Sequence, residues 1–298
     1  MKTHRIRNIA FTLVLAMVML LSCAFTVVMA EDDSPYLPKK MTVRIGQRVT
    51  MEIKNMPAGA SVTYKSSNKK VVAVSGKGKL TPKKKGKSVV KATLKYNGKT
   101  ETLKCKVTVK PAIVAVIDGG AAKKQKVWKA LKTSNAGARG PANGHAKRMI
   151  DIIKSEAPKA KILSIKVTDA SDRRVSNAGV IKALKLAKKY KASIVYYSFC
   201  GPEPSEEEYV LVADLIASGT RVVGPAGNAH GGDAREAAWL TNMKGADCVG
   251  AWGSGKILAK SNKNANLYVK ADSTSAAAAR YAGMLANGKA YGVHKLHI

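Results

Sequence analysis

The chain has 298 residues, 46% of them apolar, which is room for two ordinary domains beyond any targeting segment. Its 52 Lys and Arg against 19 Asp and Glu give a net charge of +33, so the surface is drawn to polyanions at low salt. Four cysteines are too few for a disulfide scaffold, and with no CxxC spacing among them zinc chemistry has no support.

The chain opens MKTHRIRNIAFTLVLAMVMLLSCAFTVVMAEDDS, with Lys2, Arg5 and Arg7 ahead of an apolar run from Ile9 to Val28. Val28-Met29-Ala30 offers small residues for cleavage, so residues 1–30 read as a secretory signal peptide and 31–37 as a linker. The apolar run is nearly long enough to serve as an uncleaved anchor, and Leu20-Leu21-Ser22-Cys23 loosely resembles a lipoprotein box that would lipidate Cys23. All three routes place the mature protein outside the cytoplasmic membrane, secreted or at the cell surface. Cys105, Cys200 and Cys248 remain; an odd number cannot all pair, and apolar surroundings predict buried free thiols.

From Met41 the hydrophobic period is two. In TLKCKVTVK, Leu103, Cys105, Val107 and Val109 alternate with polar residues, as a half-buried strand requires. Asn97-Gly98 between two such runs predicts a tight hairpin, and TVRIG, RVTMEIK, ASVTYKSS and KVVAVS predict further strands of a small antiparallel sandwich with lysines outward. Residues 37–110 hold 20 basic and 2 acidic residues, a net of +18. The stretch VTYKSSNKKVVAVSGKGKLTPKKKGKSVVKATLKYNGK resembles the bacterial immunoglobulin-like group 2 domain, with Tyr64 where that family often has Trp. The resemblance covers 38–111 and implies an adhesion or spacer module without catalysis of its own.

Past Pro111 the rhythm changes. AIVAVI, AKILSIKV, ASIVYYS, TRVVGPA and ADCVGA are continuous apolar runs, alternating with helix-like HAKRMIDIIKSEA, AGVIKALKLAKKY, SEEEYVLVADLIASG and SAAAARYAGML. That alternation predicts an α/β domain over 112–298 with a parallel sheet covered on both faces, and its chemistry at the carboxyl ends of strands. Four polar residues fall at such places: Asp118 after AIVAVI, His145 opening a helix, Asn228 in the Gly-rich turn after TRVVGPA, and Ser275 before four alanines. Each has a bland reading alone. Ser275 could be an N-cap, His145 a helix-terminal ring packed on the core, Asn228 a turn residue. Together they hold the parts of serine acyl transfer: a nucleophile, a base, a carboxylate to orient the base, and an oxyanion donor.

The surrounding words are similar to those of subtilisin-like serine proteases. VAVIDGG, GHAKRMIDIIKSEAPKAKILSIKV, ASIVYYSFCGP, VVGPAGN and STSAAAARYAG occur in that family's order over 112–286. The resemblance implies Asp118, His145 and Ser275 as the triad, Asn228 as oxyanion donor, and Ser198, Phe199, Cys200 and Gly201 as the strand that pairs with a protein or peptide substrate. The chain departs from the family at Ala146 and Lys147, where Gly-Thr is usual, at Ser273 in place of Gly, and at Ala279-Arg280 in place of Pro-His. An added Cβ at 146 and 273 could crowd backbone that needs positive φ or close approach. Lys147 adds a cation near His145, disfavouring the imidazolium.

The implied activity is an exported serine endopeptidase that calls for no cofactor, with calcium left open as the one alternative. Many subtilases bind calcium, but Asp169, Asp172 and Asp233 form no ligand-spaced loop. The alternative is a non-catalytic scaffold that binds anionic cell-wall polymers through its basic surface. Nucleic-acid binding has the charge but no recognition motif and few aromatics to stack bases.

Overall fold

A computed structural model describes residues 33–133, 137–141, 144–168, 175–200, 203–289 and 293–294. The expected signal peptide with Cys23, and also Gly201, Asp169 and Asp172, lie outside the described residues. Among those described, no helix is long and apolar enough to cross a membrane.

The first part is a two-sheet sandwich. One sheet orders β1 (Lys40–Arg44), β7 (Lys99–Lys110), β6 (Gly86–Tyr96) and β3 (Ser61–Ser66); the other pairs β2 (Val49–Thr50), β5 (Lys79–Pro82) and β4 (Val72–Val74). The alternation in β6 and β7 puts Val90, Ala92, Leu94, Cys105, Val107 and Val109 in the core and the intervening lysines outside. Asn97 and Gly98 both take positive φ, 46° and 70°, which matches the twist of the β6–β7 hairpin. Two expectations need correction. β1 runs parallel to β7, so the sandwich is not wholly antiparallel. RVTMEIK contributes the two residues of β2 and an isolated bridge from Lys54 to Tyr36 rather than one continuous strand, with Met51 buried in the core between them.

The second part is a nine-stranded sheet ordered β16 (Val293–His294), β15 (Leu267–Lys270), β13 (Asp247–Gly253), β12 (Arg221–Pro225), β11 (Ile194–Tyr197), β8 (Ile113–Asp118), β10 (Lys161–Lys166) and β9 (Lys129–Lys132), with β14 (Lys256–Ile257) on β13. From β15 to β9 every neighbouring pair is parallel. One face is covered by α1 (His145–Glu156) and α5 (Thr274–Ala286), the other by α2 (Asn177–Lys189) and α3 (Glu206–Ala217); the four-residue α4 (Ala234–Ala237) lies in the connection after β12. Burial on both faces explains the unbroken apolar runs of β8 and β11. The caps are local: the Ser176 side chain accepts from Gly179 N, and Ser205 and Glu208 form a capping box. The chain leaves β8 to build β9 and β10 on one side and β11, β12, β13 and β15 on the other, so the order reverses at β8. Such a reversal opens a crevice at the carboxyl ends of the strands.

Tyr36–Ile298 forms one compact unit, and the sandwich packs against the amino ends of the parallel strands. Arg48 N donates to Gly219 O at 2.9 Å, and its guanidinium bonds Gly245 O and, at 3.0 Å, Asp247 Oδ1. Arg221 donates to the other Asp247 oxygen and to the Tyr281 hydroxyl. The sandwich core and the α1/α5 face of the sheet form one continuous apolar cluster, including Leu80, Val107, Ile194 and Leu285. The crevice at the other end of the strands is left clear of this contact.

Candidate active site

Asp118 ends β8 and is nearly buried, while His145 is the first residue of α1. His145 Nδ1 lies 2.9 Å from Asp118 Oδ2. A carboxylate only accepts, so Nδ1 carries a proton, and Nε2 is the basic nitrogen whenever the ring is neutral. Asp118 Oδ1 accepts from Gly119 N at 2.6 Å. The Ser198 hydroxyl donates to Asp118 Oδ2, and stands 3.4 Å from His145 Nδ1 and 3.2 Å from the Tyr196 hydroxyl. It has one proton, and the carboxylate is the stronger acceptor. Ser198, expected at the substrate strand, thus has its side chain on the acid.

Tyr196 was not anticipated. It is fully buried, and burial followed by the Asp118 charge holds its phenol well above the ordinary range, so it stays a neutral donor. It donates to Ser275 O at 3.0 Å, tying β11 to the first turn of α5. A hydroxyl-bearing aromatic at the end of the apolar run ASIVYYS was the available signal.

At α5 the cap question is answered. Ser273, not Ser275, is the N-cap: its side chain accepts from Ala276 N at 3.4 Å. Thr274 N donates to Asn228 Oδ1 at 3.1 Å, which brings the exposed Asn228 to the same helix start. Among the described residues the Ser275 amide and hydroxyl make no hydrogen bond, and that includes the hydroxyl to His145. The Ser275 N–H is therefore an orphan donor at the positive end of a helix. Thr274 Oγ1 is buried without a partner among the described residues.

Two ion pairs hold the helices that carry His145 and Ser275. Arg148 on α1 meets Asp272 at 2.5 Å, and Arg280 on α5 meets Glu156 at 2.9 Å. Between them Gly283 permits close approach: a Cβ there would stand 2.9 Å from Ile153 O and 2.7 Å from Glu156 Cβ.

The remaining substrate-strand residues are spread out. Phe199 packs on Tyr197 with ring centroids 4.4 Å apart. Cys200 is exposed rather than buried as expected, with Sγ 3.6 Å from Pro225 O and its thiol pushed up to about 11 by burial of that atom; Cys105 and Cys248 are buried. Asp233 is held well below the usual carboxylate range, chiefly by its hydrogen bonds with Arg235. No group of metal-ligating side chains occurs among the described residues.

Residues 37–105 match the family model of the bacterial Ig-like domain (group 2). That segment is a bacterial Ig-like domain. Among solved structures the chain is similar to a cold adapted subtilisin-like serine proteinase, with 20% identity and a TM-score of 0.50 over 59% of this chain and 74% of that one. It is also similar to an S218A mutant of the protease domain of PatA, with 16% identity and a TM-score of 0.50 over 59% of this chain and 78% of that one. The comparison with curated proteins found no match. The α/β part following the Ig-like domain accordingly has a subtilisin-like fold.

The departures from the subtilisin-like pattern are accommodated. Ser273 has φ −158°, extended backbone that any residue adopts, so its Cβ causes no strain. Ala146 is a buried residue of α1. The Lys147 ammonium is paired with Asp151 at 2.6 Å, so its charge is compensated one turn along the helix.

Proposed function

We propose that the chain is an exported serine endopeptidase, with Ser275 as nucleophile, His145 as base, Asp118 as its orienting carboxylate and Asn228 as oxyanion donor. The observation that carries this reading is the 2.9 Å bond between Asp118 and His145 Nδ1, which reserves Nε2 for a proton in transit. Nε2 takes the proton of Ser275 Oγ as that oxygen bonds to the substrate carbonyl carbon, and the carbonyl electron pair moves onto oxygen. The orphan Ser275 N–H and the Asn228 amide nitrogen receive the oxyanion. Collapse breaks the C–N bond, the amine leaves with the proton from His145, and water then hydrolyses the acyl-enzyme by the same relay. The α5 dipole favours the negative charge at its start.

A second reading has its own support. The Ser275 hydroxyl is not bonded to His145, and Ser198 already occupies Asp118 Oδ2, an arrangement compatible with a non-catalytic scaffold at the cell surface. A serine-directed fluorophosphonate separates the two. The peptidase reading expects labelling of the native protein that disappears in Ser275→Ala and falls steeply in His145→Ala. Labelling that persists in Ser275→Ala refutes the assignment of Ser275 as nucleophile, and none at all on folded protein favours the scaffold.

A further inference from the structure

The outer face of the β1-β7-β6-β3 sheet has a charge arrangement that the peptidase reading does not use. Register places Lys91 of β6 directly opposite Lys65 of β3 on one side and Lys104 of β7 on the other. One step along β7, Lys106 stands opposite Lys40 of β1. All five lysines are exposed, and none makes an ion pair among the described residues. Neither acid of this module relieves them: Glu101 lies on the opposite side of β7, accepting from the Tyr96 hydroxyl at 2.9 Å, and Glu52 pairs with Lys54. Beside the lysine row runs a hydroxyl row, Thr63, Thr93 and Thr102, also in direct register.

Like charges directly opposite each other destabilise a sheet, and neighbouring strands are only ~4.8 Å apart. A solvated face needs lysines, but not three in line without a counter-charge. We propose that this face binds a base-free phosphodiester polymer of the poly(glycerol phosphate) kind, whose phosphates sit over the lysine row and whose hydroxyls meet the threonines. Lysine ammonium groups act as rotatable point charges suited to a flexible polyphosphate. The face carries no aromatic side chain on which a nucleobase could stack, since Tyr64 and Tyr96 lie on the other side of their strands. This inference is independent of whether Ser275 is catalytic.

The test measures binding of a fluorescent poly(glycerol phosphate) oligomer against salt. It compares the native protein, the triple variant Lys65→Gln/Lys91→Gln/Lys104→Gln, and a charge-matched control, Lys123→Gln/Lys124→Gln/Lys126→Gln in the α/β part. The face variant is expected to bind at least ~10-fold more weakly at ~0.1 M salt, with the log–log salt slope reduced by ~2. Its melting temperature should be unchanged or higher, because repulsion is removed. If the triple variant does not fold, Lys91→Gln alone is expected to weaken binding ~3-fold, from roughly one lost phosphate contact. Equal losses in face variant and control would reduce the effect to bulk charge and overturn the assignment. So would tighter binding of an oligothymidylate of the same charge, which would make the ligand a nucleic acid.

Discussion

Gly283 is the point at which packing and chemistry meet, and replacing it with Ala tests both. The added Cβ would stand 2.7 Å from Glu156 Cβ, 2.9 Å from Ile153 O and 3.2 Å from Ile153 Cα. Carbon atoms pack best at about 3.5–4.0 Å, and two of these three neighbours are backbone, so α1 and α5 must part by ~1 Å. Overpacking of this kind costs about 1–3 kcal/mol, while Ala gains about 1 kcal/mol over Gly in a helix. The expected net loss is about 0–2 kcal/mol, or a fall of at most about 8 °C in melting temperature at 2–4 °C per kcal/mol. His145 rides on α1 and Ser275 on α5, and a ~1 Å misplacement of reacting groups costs about 100-fold in rate. Gly283→Ala should therefore remain folded and lose about two orders of magnitude in fluorophosphonate labelling rate. A variant with raised melting temperature and labelling within ~3-fold of native would refute the claim that this contact sets the spacing of the site.

Two further outcomes follow from the ion pairs. Asp247 is nearly buried between Arg48 and Arg221, so Asp247→Ala leaves two guanidinium groups without their partner where the sandwich meets the sheet. Urea unfolding should show a loss of about 3–5 kcal/mol, and a change below ~1 kcal/mol would mean the module is not held by this contact. Asp272 is held below its ordinary 3.8, first by its hydrogen bond with Arg148. A depressed folded value means the pair stabilises above the unfolded value and is lost as pH falls below it. The pair is largely exposed, so its worth is under ~1 kcal/mol. Comparing Asp272→Asn with native protein from pH 6 to pH 2, the difference in stability should shrink on acidification, and a difference that grows would reverse the sign of the argument.

Much of this molecule can be read from local pattern alone. Period-two alternation in β6 and β7 marks which side chains are buried, because successive residues of a strand face opposite ways. Asn97-Gly98 predicts its hairpin because those residues tolerate the positive φ that the turn demands. The apolar runs of β8, β10, β11, β12 and β13 predict a sheet covered twice, whereas β9, with every residue exposed or half-buried, and the four-residue β15 carried too little apolar signal to be foreseen. Asp118 and His145 could be proposed as partners from chemistry and order; that they meet was decided by the fold.

Tertiary structure alone decided the rest, because the deciding contacts join residues far apart in the chain. Ser198 reaches Asp118 across 80 residues and Tyr196 reaches Ser275 across 79, so no local window assigns either side chain its partner. In sequence Ser275 could be read as the cap of α5, and the structure gives that role to Ser273, whose side chain accepts from Ala276 N. The family resemblance of residues 38–111 implied an adhesion or spacer module, and no local pattern in that stretch points to a contact with the sheet. Arg48, reaching Asp247 from 199 residues away, makes it part of one body with the sheet.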